Sequence, residues 1–176
     1  HDEILHQTYD IDRQKKFMKK ILDFLNYDPT CTYIEETEHP FTHGLSSNDL
    51  RITTHYFENE IIKAPISTIH EFGHALYSLQ MNKDYEGTLL THCGAAAQES
   101  QSRFLENYIG RGKTFWQTMY PSFIELFPEF KNVEFEKFYK MINKVECSLV
   151  RTKADELTYP LHIMVRFEIE KEIAKG

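Results

Sequence analysis

A mainly α fold with a small β-sheet is what this sequence predicts, on three observations. Apolar residues recur at helical spacing along most of the chain, and one short stretch, Leu50 to His55, alternates and is rich in β-branched residues. Of the 176 residues, 41% are hydrophobic and 14% aromatic, the composition of a folded globular chain. At that length one sizeable core can form. No internal repeat or low-complexity segment divides it, and residues 1–176 read as a single unit.

The first helix is expected at about 11–26, with Phe17, Ile21, Leu22 and Leu25 facing the core and Lys15, Lys16, Lys19 and Lys20 on a solvated side. Asp28-Pro29 opens a loop, and an extended region continues to about residue 57. Within it, Leu50-Arg51-Ile52-Thr53-Thr54-His55 is the predicted strand. It is expected either as a wall on which an extended peptide adds a further strand, or as plain packing. A helix follows at 65–81: Pro65 suits a first turn, where its missing N–H costs nothing, and Ile69, Phe72, Leu76 and Leu79 form a core stripe. The next helix, 95–110, is favoured by three alanines and given a buried side by Phe104, Leu105 and Tyr108. Further helices are expected at 113–127, 134–144 and 147–174, the last kinked where Pro160 removes a backbone donor. Trp116 and the phenylalanines around it read as core, or as a surface for other segments to cover.

His70-Glu71-Phe72-Gly73-His74 carries the chemistry. Residues four apart share a helix face, so both imidazoles can turn a nitrogen toward one ion. Glu71 sits about 100° round the helix from His70, within reach of a water at that ion without being a ligand. A carboxylate from a separate helix would complete a His₂Glu site with a fourth position open to water, the catalytic arrangement of zinc. On the 95–110 helix both Glu99 and Glu106 are candidates, sharing a face with Arg103, and the residues alone do not choose between them. The other reading of either glutamate is a solvated face carrying an ion pair with Arg103. His39 and His43 are also four apart, but Pro40 forces His39 from helical geometry and their rings should not converge.

Five ordered segments then resemble the carboxypeptidase Taq family of zinc metallocarboxypeptidases: His39-Pro40-Phe41, Asp49-Leu50-Arg51-Ile52-Thr53, His70 to His74, Gln98-Glu99-Ser100-Gln101, and Val150-Arg151-Thr152-Lys153-Ala154-Asp155-Glu156-Leu157-Thr158-Tyr159. The resemblance covers nearly the whole chain. It implies a zincin-like catalytic core of a larger, helical, groove-shaped metallopeptidase, of which this chain is the catalytic middle. It also implies release of residues one at a time from the free C-terminus of peptides. Zinc, for which another divalent ion such as Co²⁺ can substitute, would be held by His70, His74 and Glu99, with Glu71 as the base. Arg151 lies in the motif implicated in recognising the substrate end. A guanidinium fork is the natural partner of a terminal carboxylate, and the competing expectation is an ion pair with Asp155 four residues later on one helix. Tyr159 is a candidate donor to the tetrahedral intermediate. A homodimer and a cytoplasmic location are expected of the full-length enzyme. Two other readings share the zinc helix, an oligoendopeptidase and a catalytically impaired metal-binding fragment.

One departure matters. The family motif usually has a histidine before the ligand glutamate, and here Gln98 stands in its place. Glutamine can donate and accept but cannot titrate near neutral pH, so metal binding should survive better than rate.

With 20 Lys and Arg against 27 Asp and Glu the net charge is −7 and the pI about 5.7. That argues against the clustered basic face of a nucleic-acid binder. No apolar stretch approaches the roughly 20 residues a membrane span needs. Cys31, Cys93 and Cys147 are widely spaced and lack a Cys-x-x-Cys pairing, which argues against a disulfide framework and for a reducing compartment. Each is expected as a small buried hydrophobe, with Cys93 near enough to the site for adventitious metal contact.

Overall fold

A three-stranded sheet and six α-helices make up the computed structural model, which describes residues 2–46, 48–91, 94–151 and 154–176. His92 and Cys93, and Thr152-Lys153 of the arginine motif, lie outside the described residues.

The first helix, α1 (Ile11–Phe24), starts at Asp10, whose side chain accepts from Arg13 N at 2.8 Å and so satisfies one of the orphan donors of the first turn. It buries Phe17, Met18, Ile21 and Leu22. Its lysines face outward, where Lys15, Lys19 and Lys20 pair with Glu36, Asp23 and Glu125.

Strands β1 (Thr32–Glu36), β2 (Thr42–Ser46) and β3 (Asp49–Thr54) follow. The predicted strand is real, but as β3 it lies in the centre, parallel to β1 and antiparallel to β2. That corrects the expectation that it could form a wall for an added peptide strand: both its ladders are taken, and among the described residues the edges are β1 and β2.

Helix α2 (Lys63–Leu79) crosses between sheet and helical core. Pro65 sits in its first turn as expected. Phe72 and Ala75 pack on Leu50 and Ile52 of β3, the Thr54 and Thr68 hydroxyls meet at 2.7 Å, and Ile69 turns to the main core. Helices α4 (Lys113–Leu126) and α5 (Phe135–Ile142) complete that core, while α3 (Ala95–Arg103) packs on α2. Its centre is aromatic: Tyr9, Phe17, Trp116, Phe123, Phe127, Phe130 and Phe138 are all fully buried. Edge-on contacts such as Trp116 with Phe138, centroids 5.0 Å apart, add about 0.5–1.5 kcal/mol each to the burial itself. Trp116 is therefore core, and its indole N–H donates to Gly110 O at 2.8 Å.

Two helix expectations need correction. The 95–110 segment is α-helical only to Arg103, and Phe104–Gly110 continues as a π-helix. The wider turn rotates the face, so Phe104 and Tyr108, expected inside, are exposed and stack on each other, while Ser102, Glu106 and Gly110 are buried. The last helix, α6 (Tyr159–Lys175), starts later than 147. The Asp155 carboxylate accepts from the Leu157 and Thr158 N–H groups at 2.9 Å each, building a turn ahead of the helix. Pro160 then falls in the first turn, where its missing donor is harmless, and starts the helix instead of kinking it. None of α6 is buried. Among the described residues no helix is long and apolar enough to cross a membrane. For two of the cysteines the expectation of burial fails, because Cys147 is exposed and Cys31 only half-buried, and Cys93 lies outside the described residues.

Candidate metal centre

The site forms where α2 and α3 touch. Gly73 makes the contact: a Cβ there would lie 2.6 Å from Ser102 Cα, closer than real atoms pack. Without a side chain the helices close, and Glu99 comes to face the two histidines of α2. His74 Nε2 is 3.2 Å from Glu99 Oε2, and His70 Nε2 is 3.5 Å from the same oxygen. Among the described residues His70, His74 and Glu99 are the one group of three such side chains whose ligand atoms all lie within 4.8 Å of one another.

Those separations fit a tetrahedral ion. Bonds of about 2.0–2.1 Å at tetrahedral angles put ligand atoms roughly 3.3 Å apart, and the two nitrogen–oxygen distances bracket that figure. Two imidazoles and one carboxylate are also a donor set that zinc takes. Neither His39 nor His43 belongs to that group.

Electrostatics in the metal-free protein follow from the same packing. Burial pushes the Glu99 carboxyl upward, but hydrogen bonds from His74 and Ser102 and the charges of His70 and Arg103 outweigh it and bring it down to about 2. For His70, burial pulls downward, and the hydrogen bond and charge of Glu106, with Glu99 and Glu71, overcome it to leave the pKa raised. Three carboxylates thus surround His70.

The two glutamates left open by the sequence occupy different places. Glu99 faces both Nε2 atoms. Glu106 sits behind His70, with Oε2 at 2.8 Å from Nδ1. Arg103 reaches both, through Nε to Glu99 at 3.1 Å and Nη1 to Glu106 at 2.9 Å, so the expected ion pair coexists with the cluster.

Glu71 is buried, and its Oε2 accepts from Thr42 Oγ1 at 2.7 Å. Thr42 was not singled out in the sequence, since nothing in its spacing marks it. Its position follows from two of the five segments: Thr53 Oγ1 accepts from Phe41 N at 2.8 Å, and Thr53 N donates to Phe41 O at 2.8 Å. Residue 42 is thereby held over α2. Asp49 and Arg51 of the same segment pair with each other on the exposed face.

A cleft of about 690 Å³ opens beside His70, lined among others by Ser67, Arg103, Glu106, Arg151 and Tyr159. Arg151 Nη1 donates to Tyr159 Oη at 2.6 Å, and the Arg103 guanidinium lies 3.8 Å over the Tyr159 ring. The expected Arg151–Asp155 ion pair is absent among the described contacts, because Asp155 is engaged by backbone N–H groups and by the Thr158 hydroxyl at the start of α6. A second cleft, of about 580 Å³, lies on the other side, between β2 and the start of α3, and Gln98 lines it with Tyr77.

Residues 1–176 match the family described as carboxypeptidase Taq (M32) metallopeptidase. The chain is 38% identical over 174 residues to thermostable carboxypeptidase 1 of Thermus thermophilus, and 42% identical over 164 residues to carboxypeptidase 1 of Bacillus subtilis. These alignments take in 98% and 92% of this chain but 34% and 33% of those proteins. Among solved structures, an M32 carboxypeptidase from Deinococcus radiodurans R1 superposes with a TM-score of 0.92 at 39% identity, over 99% of this chain and 35% of that one. Metallocarboxypeptidase 1 of Trypanosoma cruzi superposes with a TM-score of 0.85 at 32% identity, over 97% and 36%. The chain spans about a third of the length of the curated relatives it matches.

Proposed function

Because the chain belongs to the carboxypeptidase Taq (M32) metallopeptidase family, we propose that His70, His74 and Glu99 hold a zinc ion at which peptides are hydrolysed from their free C-terminus. The observation that carries this reading is the approach of both histidine Nε2 atoms to one Glu99 oxygen, at 3.2 and 3.5 Å.

A divalent ion bound there supplies Lewis acidity, polarising a scissile carbonyl and acidifying water. The side chains do the rest. Glu71 takes the proton of the attacking water on a carboxylate oxygen and passes it to the leaving amine nitrogen. With Thr42 on Oε2, the free oxygen Oε1 is the one that receives the proton. Arg151, which lines the same cleft as His70, pairs its guanidinium with the terminal carboxylate of the peptide. Tyr159, which accepts from Arg151 and carries the Arg103 guanidinium over its ring, steadies the Arg151 side chain and donates to substrate oxygen. Alignment of this kind can supply about 7–11 kcal/mol of a barrier.

With its ladder closed on both sides, β3 is not the substrate wall. The open edge beside the site belongs to β2, which carries Thr42 and borders the second cleft; an extended peptide adding there would run past Glu71. Gln98 faces this side, and its inability to titrate is expected to lower turnover without loss of metal.

The test is zinc stoichiometry by elemental analysis together with amino-acid release from paired peptides, one free at its C-terminus and one amidated. One zinc per chain and release from the free acid alone are expected. Equal cleavage of the amidated peptide would make the protein an endopeptidase, and zinc without any release would leave a metal-binding protein.

A further inference from the structure

Around the three proposed ligands lies a second set of contacts. Nδ1 of His70 is 2.8 Å from Oε2 of Glu106, a carboxylate only 10% exposed. The same oxygen takes Nη1 of Arg103 at 2.9 Å, and Oε1 faces Nη2 of Arg111 at 3.8 Å. Arg103 turns its Nε to Glu99 at 3.1 Å. One guanidinium therefore clasps the carboxylate in front of His70 and the carboxylate behind it.

A neutral imidazole carries one proton on either nitrogen, and only the bare nitrogen can bind a metal. An ionised carboxylate can only accept. Glu106 therefore selects the His70 form with the proton on Nδ1 and leaves Nε2 bare toward Glu99. Its location in the π-helix serves this. In an uninterrupted α-helix a residue seven after Glu99 falls within about 20° of it, one above the other on the same line. The wider turn over Phe104–Gly110 takes Glu106 off that line and behind the ring, a use of π-turns that recurs at functional sites. His74 has no such partner, since its Nδ1 is buried without a hydrogen bond among the described residues.

We propose that Glu106 is a positioning residue of the metal centre, fixing His70 as the Nδ1–H form, and that Arg103 holds Glu106 in place and keeps it from the ion. This rests on the zinc reading above. It assigns the two glutamates separate roles, ligand and orienter.

The experiment uses the 176-residue chain, with zinc affinity measured by chelator competition and the His70 ring followed by long-range ¹H–¹⁵N NMR in the zinc-loaded state. Glu106→Ala is expected to bind one zinc but ten- to a hundredfold more weakly, the range for such partners. Its His70 Nδ1–H signal should be lost to water exchange, or Nδ1 should replace Nε2 on the metal. Glu106→Gln, which keeps the shape and a weaker acceptor, should lie between it and the unmodified protein, and it carries the test if the alanine variant does not fold. Unchanged affinity with an unchanged His70 signal in a folded variant would overturn the proposal. So would loss of stoichiometric zinc in Glu106→Ala while Glu99→Ala keeps it, which would make Glu106 the ligand. An unmodified protein that takes up no zinc would overturn the zinc reading itself, and this proposal with it.

Discussion

Thr42 of β2 donates its hydroxyl to Oε2 of Glu71 on α2 at 2.7 Å. The same hydroxyl lies 2.9 Å from the Glu71 carbonyl oxygen, and with a single proton it serves one acceptor at a time. The contact is fixed from behind by Thr53 of β3, which binds Phe41 through both backbone and hydroxyl. The sheet thus sets the orientation of a carboxylate it does not contain.

Thr42→Val, close to isosteric, should lower hydrolysis of free-acid peptides roughly tenfold, the rate equivalent of about 1.4 kcal/mol and near the low end for a hydrogen bond to a charged group. Zinc content and melting temperature should stay put. Thr42→Ser should restore most of the rate, because it returns the hydroxyl. Loss of zinc in the valine variant would mean that the contact holds the helix and not the base.

Gly73→Ala pits two effects against each other. Alanine inside a helix gains roughly 0.5–1 kcal/mol over glycine, but here the new methyl would meet Ser102 Cα at 2.6 Å and Gln101 O at 3.2 Å, both backbone. Overpacking of that kind costs about 1–3 kcal/mol, so the overlap wins. The melting temperature should fall by several degrees, and zinc should bind more weakly as α3 carries Glu99 outward. An increase in melting temperature would show that the helices can part without strain.

Most of the helical frame was legible because its signals are local. The stripes of α1, α2, α4 and α5 recur every three or four residues, and the spacing of His70 and His74 on one face needs nothing beyond helix geometry. What was not legible depends on contacts distant in sequence. The central place of β3 is decided by β1 and β2 pairing on either side of it. Pro160 reads as a kink until Asp155 is seen to cap the turn before it. The π-turn leaves no periodic trace, so Phe104 and Tyr108 looked buried and Glu106 looked like a rival ligand. Thr42 becomes meaningful only when Thr53 brings it over α2.

In the metal-free protein Glu99 and His70 should together contribute most to stability between about pH 4.5 and 6.5, their ordinary values. Glu99 is lowered to about 2 in the fold, so its contribution is present above 4.5 and lost as pH falls toward 2. His70 is raised, so its contribution is complete below 6.5 and lost as pH climbs through the folded value. Melting temperatures measured across this range should decline on both sides. Glu99→Gln should shrink the acid decline, and Glu106→Gln the alkaline one. Zinc, which needs neutral imidazoles, should abolish the alkaline decline. A flat alkaline side in the metal-free protein would remove the case for a charged His70.

Arg151 provides the sharpest test of exopeptidase chemistry. It shares a cleft with His70, its Nη1 is on Tyr159 Oη at 2.6 Å, and Asp155 is occupied with the start of α6. A structural ion pair between Arg151 and Asp155 therefore does not account for the arginine. Lysine keeps the charge but loses the planar fork that matches a carboxylate bidentately, so Arg151→Lys should raise KM for free-acid peptides about tenfold, with a smaller change in kcat. Amidated peptides, which offer no terminal carboxylate, should show no further loss. The melting temperature should change little, since the substituted side chain is tied to Tyr159 and not to a buried partner. An equal loss on both peptides together with a clear drop in melting temperature would return Arg151 to a structural role and take recognition of the peptide end from it.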